Sequence, residues 1–206
     1  MRAEREGAKV DIEQYNADWL KQLGYDEAPK DWKTWEEAAC KASDPAANKY
    51  GWAFRHDASN FASQVFSRGG RILSPDGQSY AFNSEAGKEA AEFYVGLAPF
   101  SPPDFLNSNS YDGRVAFATG QVAMYVAGAW FASVLQSEFP DIDGLWDAAP
   151  LPEKERCATT VAGDALVLPA AGQNHDAAWK WVEFLSAPQN MALWTLGEPG
   201  NAGSLL

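Results

Sequence analysis

Residues Val115 to Trp130, VAFATGQVAMYVAGAW, predict a helix, a strand and the start of a second helix in one short run. Its first part predicts a brief helix that Gly120 ends by adopting a left-handed conformation. The compact apolar run from Gln121 to Val126 then predicts a buried strand rather than a helical stripe. Gly128 permits a sharp turn, and a second helix opens at Trp130. The indole therefore lies at a strand-to-helix junction, where open α/β sheets meet their ligands.

Composition and charge limit the partners of the chain. It has 206 residues, 46% of them hydrophobic, which suffices for one sizeable core or two modest lobes. The formal net charge of −12 repels phosphate backbones and anionic headgroups, so nucleic acid is excluded as the expected partner. No apolar window is long enough to span a bilayer, and the N-terminus is charged. Either export is absent or the signal lies outside the given sequence.

The two cysteines, Cys40 and Cys157, are far apart and form no CxxC or Cys/His pattern. Two unrelated thiols are favoured over a single disulfide, although a disulfide stays open. No metal site and no cofactor are predicted.

Nine tryptophans are the unusual feature of the composition, because each brings a large flat apolar face with one donor. Two of them, Trp52 and Trp130, lie near predicted strand ends. The others with an interpretable pattern lie on predicted helices, where packing is the favoured role: Trp32, Trp35, Trp179, Trp181 and Trp194.

Predicted strands and helices alternate along the chain, which predicts an α/β fold. The predicted strands are residues 9–15, 50–54, 121–126, 145–149 and the apolar ALVLP at 165–169. Asp31, Asp112 and Asp176 are predicted helix caps. A turn at Ser74 to Gly77 predicts a hairpin-like connection.

A set of motifs in fixed order resembles a known family. The set comprises Tyr15-Asn16, PKDW, YGWAF, the pair Gly69-Gly70, SPDGQSYAFNS, GQVAM, GAW at 128–130, and ALVLP followed by AAWKWVEFL. Together they resemble the extracellular solute-binding proteins of family 1, the carbohydrate-binding receptors of ABC importers. The resemblance covers nearly the whole chain from about Tyr15. It implies a periplasmic-binding-protein-like type II lobe, a mixed sheet flanked by helices.

The resemblance also implies a ligand site. In the family, two lobes close on a sugar, and the aromatic of the G-x-W motif stacks on it, a role that falls to Trp130. The loop before the Gly-Gly pair and the segment that crosses back to the first lobe supply further implied contacts. These are His56, Asn60, Phe61, Gln64, Gly163 and Asp164. Planar acceptors and amides at the rim of an aromatic platform suit a pyranose.

Family members are much longer than this chain. The resemblance therefore implies that residues 1–160 form the second, C-terminal-type lobe. It implies that residues 161–206 are a hinge-crossing strand and helices that normally pack on the first lobe. The implied partners are a mono- or oligosaccharide and the subunits of an ABC permease, with a periplasmic or extracellular location. Self-association through the surface left by the missing lobe is a further expectation.

Other functions remain as alternatives. A glycosidase needs two carboxylates across one site, but the pairs Glu36-Glu37 and Asp141-Asp143 fall on a helix and a turn. GxSxG, HExxH and GxxxxGKS motifs are absent from the sequence. No catalysis is predicted. A protein-interaction or oligomerising module stays open, because a lobe with unpaired apolar surface can dimerise.

Overall fold

A computed structural model describes residues 9–55, 58–107, 111–128, 130–162 and 166–191. The strands are β1 (Lys9–Asn16), β2 (Tyr50–Ala53), β3 (Val122–Gly128), β4 (Trp146–Ala149) and β5 (Val161–Ala162). The helices are α1 (Ala17–Gln22), α2 (Trp32–Ala42), α3 (Ala58–Ser67), α4 (Glu85–Gly96), α5 (Gly113–Ala118), α6 (Trp130–Glu138) and α7 (His175–Ser186). The predicted α/β class is confirmed.

The strands form one mixed sheet in the order β2-β3-β1-β4, and β5 also pairs with β1. Strands β2 and β3 are parallel, with Trp52 opposite Met124. Strand β1 runs antiparallel to β3, with Glu13 opposite Val126, and antiparallel to β4. The carboxyl ends of β2 and β3 therefore lie at the same edge of the sheet.

Helices cover both faces of this sheet. Successive residues of β3 point to opposite faces, so Met124 enters one hydrophobic cluster and Tyr125 enters the other. All seven residues of β3 are buried, which explains why its sequence is a continuous apolar run rather than an alternating one. Helices α1, α2 and α4 contribute to the first cluster, whereas α5 and α6 contribute to the second.

The first cluster accounts for several tryptophans. Trp32, Trp35 and Trp52 are buried, and the rings of Trp35 and Trp52 meet edge to face with centroids 5.2 Å apart. The indole of Trp52 donates a hydrogen bond of 3.0 Å to the carbonyl of Leu97. Packing is therefore the role of these three indoles, as predicted for Trp32 and Trp35.

The helix boundaries follow the local chemistry. The side chains of Asp31 and Asp112 accept hydrogen bonds from the first turns of α2 and α5, as predicted. Gly120 has a φ of +67°, the left-handed conformation that lets the chain pass from α5 into β3. Helix α7 begins at His175, slightly before the predicted cap at Asp176.

Two expectations for the C-terminal part are wrong. The described part of ALVLP, residues 166–169, forms no strand, and Leu166 and Val167 are exposed. No residue of α7 is buried, so Trp179 and Trp181 are exposed rather than packed. The periodicity of α7 identifies an apolar side but does not say what covers it. Trp194 lies outside the described residues.

Both cysteines are exposed and free. No helix within the described ranges combines the length and apolar character needed to cross a membrane.

Candidate ligand-binding edge

Trp130 is the first residue of α6 and follows the end of β3. Its side chain is half-buried and packs against the second hydrophobic cluster. The rings of Trp130 and Phe131 meet edge to face with centroids 5.7 Å apart. A Cβ on Gly128 would overlap the indole, so the missing side chain of this glycine makes room for the ring. Part of the indole is thus held by the protein and part remains exposed at the edge of the sheet.

Helix α3 starts at the same edge because it follows β2, the parallel neighbour of β3. Phe61 in its first turns is half-buried. Like Trp130, it keeps part of an aromatic face outside the core.

Asn60 and Gln64 are buried in this structure, whereas residues at the rim of a ligand site are expected to be exposed. Both are 5% exposed. The Gln64 side chain accepts a hydrogen bond of 2.7 Å from Nη1 of Arg68, one helical turn further on. The guanidinium of Arg68 lies 4.8 Å from the ring centroid of Phe93, which packs it against α4. Gln64 therefore holds a buried arginine in this structure, and its role toward a ligand stays a prediction.

His56, Gly163 and Asp164 lie outside the described residues. Their roles in ligand binding also stay predictions.

Arg55 is a polar residue at this edge that was not predicted from the sequence. It follows β2 after one intervening residue, and its Nη1 lies 3.4 Å from the carbonyl oxygen of Val126 near the end of β3. The guanidinium thus reaches across the carboxyl ends of both parallel strands. A cation directly after a predicted strand was the signal that could have identified it.

The start of α5 approaches the same strand ends. A Cβ on Gly113 would lie 3.2 Å from the Cβ of Ala53, the last residue of β2. On either side of Gly113, Asp112 and Arg114 form a two-pronged ion pair, with Nε to Oδ1 at 3.1 Å and Nη2 to Oδ2 at 2.6 Å. The hydrogen bonds from Arg114 hold the pKa of Asp112 below its usual value. Asp112 therefore stays an acceptor across the neutral range.

A cavity of about 490 Å³ lies elsewhere on the chain. Tyr15, Pro29, Leu151 and Cys157 are among its lining residues, and neither Trp130 nor any described residue of the predicted site lines it. Tyr15 pairs with Met124, four residues before the end of β3, which places the cavity roughly 13 Å back along the strand. The cavity is not part of the candidate edge.

Comparison with known proteins decides the family. The model for bacterial extracellular solute-binding proteins matches residues 12–192. The chain belongs to this family. The match spans β1 to α7, and thus includes both the sheet and the exposed helix.

A putative periplasmic-binding protein of an ABC transporter from Escherichia coli, YcjN, is 26% identical to this chain over 200 residues. The match covers 91% of this chain and 44% of YcjN.

No group of His, Cys, Asp and Glu side chains suited to a metal occurs in the parts that the structure describes.

Solved structures show the same architecture. A solute-binding protein from Thermotoga lettingae bound to α-D-tagatose superposes with a TM-score of 0.81 at 28% identity, covering 96% of this chain and 54% of that one. Maltose-bound MalE3 from T. maritima gives a TM-score of 0.79 at 22% identity, again covering 96% and 54%, and shows the fold alone. The predicted type II lobe is confirmed. The chain spans about half the length of these relatives.

Proposed function

We propose that this chain is the sugar-binding lobe of an ABC-importer receptor and that the edge formed by the ends of β2 and β3 contacts the ligand. The observation that carries the proposal is the half-buried indole of Trp130, which follows a fully buried strand and keeps part of its face exposed. The family, and the tagatose bound to the Thermotoga lettingae protein, support a carbohydrate as ligand. The C–H face of a pyranose stacks on such a ring.

The polar partners of the sugar come from the same edge. Arg55 lies beside Val126, and the pair Asp112 and Arg114 opens α5 next to the end of β2. These side chains supply donors and one acceptor for hydroxyl groups around the Trp130 platform. Phe61 extends the apolar surface. His56, Gly163 and Asp164 are proposed to add further hydrogen bonds.

We propose that residues 1–160 form the second lobe of the receptor and that residues 161–206 belong against a first lobe. Two observations support this division. Helix α7 has no buried residue, and Leu166 and Val167 are exposed beside it in sequence. The relatives of known structure are about twice as long as the part that this chain matches. A second half of the architecture would cover this apolar surface.

Without a first lobe, the ligand stays in contact with water. Hydrogen bonds exchanged with solvent contribute only about 0.5–1.5 kcal/mol each, so one lobe binds weakly, with dissociation constants on the order of millimolar. Closure of two lobes, the hinge motion known for periplasmic binding proteins, excludes that water. A second lobe paired with a first lobe therefore binds sugar far more tightly than a second lobe alone.

The chain is proposed to deliver its sugar to membrane permease subunits at a periplasmic or extracellular location, without catalysis and without a cofactor. The match to a periplasmic-binding protein of an ABC transporter supports this context. Isothermal titration of the chain with a panel of mono- and oligosaccharides tests the proposal. Saturable heat from at least one sugar is expected, whereas no heat from any sugar at millimolar concentration would contradict it.

A second candidate function is self-association, and the exposed apolar side of α7 is the observation that favours it. A non-catalytic oligomerising domain would use that side as an interface. Sedimentation of the chain separates a monomer from an assembly.

A further inference from the structure

The C-terminal end of α3 is joined to the connector, as we name residues 150–160 between β4 and β5. The last four carbonyls of a helix have no partner within the helix itself. In α3, the carbonyl of Ser67 accepts a hydrogen bond of 3.1 Å from the backbone N–H of Glu155. The carbonyl of Phe66 accepts one of 2.7 Å from Nε of Arg156. The connector thus supplies partners for two of these four carbonyls.

The hydroxyl of Ser67 joins three parts of the chain at this end of the helix. It accepts a hydrogen bond of 3.0 Å from the indole Nε1 of Trp32 on α2, and it donates one of 3.2 Å to the carbonyl of Arg156. Ser67 is fully buried and Trp32 is 4% exposed, so water does not compete for the bond between them. The hydroxyl therefore fixes α3 against both α2 and the connector.

The connector is itself held in place by the start of α2 and by α4. The backbone N–H of Glu153 donates a hydrogen bond of 3.0 Å to the carbonyl of Lys30. The carbonyl of Glu153 accepts one of 3.2 Å from the backbone N–H of Trp32. Lys154 forms an ion pair with Glu89 of α4. The end of α3 therefore has a fixed position relative to both neighbouring helices.

The backbone that follows α3 makes room for the connector. Gly69 has a φ of +74°, and a Cβ at this position would lie 2.5 Å from Oε2 of Glu155. A residue without a Cβ adopts this conformation readily and lets the carboxylate approach. The first glycine of the Gly69-Gly70 pair thus permits the contact between α3 and the connector.

We propose that four residues at this junction position Phe61 for contact with the sugar. We name them the α3 clamp: Trp32, Ser67, Glu155 and Arg156. The inference rests on the proposed function, in which Phe61 extends the apolar surface of the site. Phe61 lies about 9 Å from Ser67 along the same helix. The clamp acts through the orientation of α3 rather than by contact with the ligand.

A short helix moves as a rod, because its own hydrogen bonds preserve its length and shape. A tilt or rotation at the clamped end therefore displaces Phe61 near the other end. Side chains that contact a ligand must be held to within about 0.5 Å of their productive position. Loss of the clamp should thus lower sugar affinity about threefold or more, although no group that contacts the sugar is removed.

Arg156→Met tests the proposal, because Arg156 is exposed and the substitution removes the donor to Phe66 while keeping a long side chain. NMR titration with α-D-tagatose, maltose and the rest of the sugar panel should show the loss of affinity. Ser67→Ala, which removes the buried hydroxyl of the clamp, should weaken binding in the same way. Lys154→Met is the matched control, since it removes a cation of the connector that contacts α4 instead of α3. It should bind sugar as the wild type does.

A double-mutant cycle separates positioning from a general loss of stability. In a Phe61→Ala background the clamp has no ring to orient, so adding Arg156→Met should change the affinity by no more than about twofold. An equal loss in both backgrounds would overturn the proposal. A wild type that binds sugar, with affinity that Arg156→Met and Ser67→Ala leave unchanged, would overturn the role of the clamp alone. A wild type that binds no sugar would contradict the proposed function, and the role of the clamp would fall with it.

Discussion

The indole Nε1 of Trp35 donates a hydrogen bond of 2.7 Å to Oε1 of Glu13 in the interior of the protein. Both side chains are fully buried, and no ion pair joins Glu13 among the described residues. Burial raises the pKa of the Glu13 carboxyl to about 8, and the hydrogen bond from Trp35 offsets only part of this rise. The carboxyl is therefore largely protonated at neutral pH.

This raised pKa makes stability depend on pH. The folded chain keeps the Glu13 proton that the unfolded chain loses above pH 4.5. The protonated carboxyl therefore makes its full contribution to the free energy of unfolding below that pH. It is lost as the pH rises toward about 8, with a slope of at most about 1.4 kcal/mol per pH unit. Urea unfolding at several pH values measures the slope.

Glu13→Gln should flatten this dependence, because an amide of similar shape carries no titratable proton. Glu37→Gln, on the exposed side of α2, is the control and should retain the wild-type slope. Identical slopes for wild type and Glu13→Gln would contradict the assignment.

Two of the core tryptophans, Trp32 and Trp35, were predicted from the sequence, but the carboxyl group that accepts a hydrogen bond from Trp35 was not. Trp32 and Trp35 recur at helical spacing after a cap, which suffices to place them inside. Glu13 occupies a strand where alternation would predict one exposed side. Helices cover both faces of that sheet, so Glu13 and Gln14 are both fully buried. Local periodicity carries no information about a second covering layer.

Two glycines of α4 should respond in opposite ways to alanine. A Cβ on Gly87 would overlap the carbonyl oxygen of Phe82, which is backbone and cannot move aside cheaply. Gly87→Ala should therefore destabilise the fold by about 1–3 kcal/mol. Thermal and urea unfolding measure the change.

Gly96→Ala is the matched control on the same helix. A Cβ there would meet no heavy atom within 4 Å, and its backbone is helical. The alanine should leave stability unchanged or raise it by up to about 1 kcal/mol. Equal effects at both positions would contradict the packing of α4 against Phe82.

Gly128 controls the orientation of the indole of Trp130. A Cβ at this position would overlap Nε1 and Cδ1 of the ring, and the half-buried ring can rotate away. Gly128→Ala should thus weaken sugar binding while costing less stability than a core substitution. Calorimetry and urea unfolding measure the two effects. Full sugar affinity in this variant would show that the orientation of the indole is irrelevant.

The candidate edge was predicted in outline rather than in detail. The strand-to-helix junction at Trp130 followed from a buried strand and a permissive glycine, and the structure places it at the ends of parallel strands. The sequence predicts Gln64 as a rim amide; in the structure its side chain accepts a hydrogen bond from Arg68 one turn away inside the protein, and its role toward a ligand stays a prediction. A polar residue on a helix can point either way until the neighbouring helix is placed.

The most direct test of the account is the titration of Trp130→Ala with the sugar that the wild-type chain binds. If the indole of Trp130 contacts the sugar, affinity should fall at least tenfold, about 1.4 kcal/mol, with little change in the free energy of unfolding. Trp179→Ala, which also removes an exposed indole, should bind as the wild type does. Unchanged affinity in Trp130→Ala, or a stability loss of about 3–5 kcal/mol typical of a core tryptophan, would contradict the account.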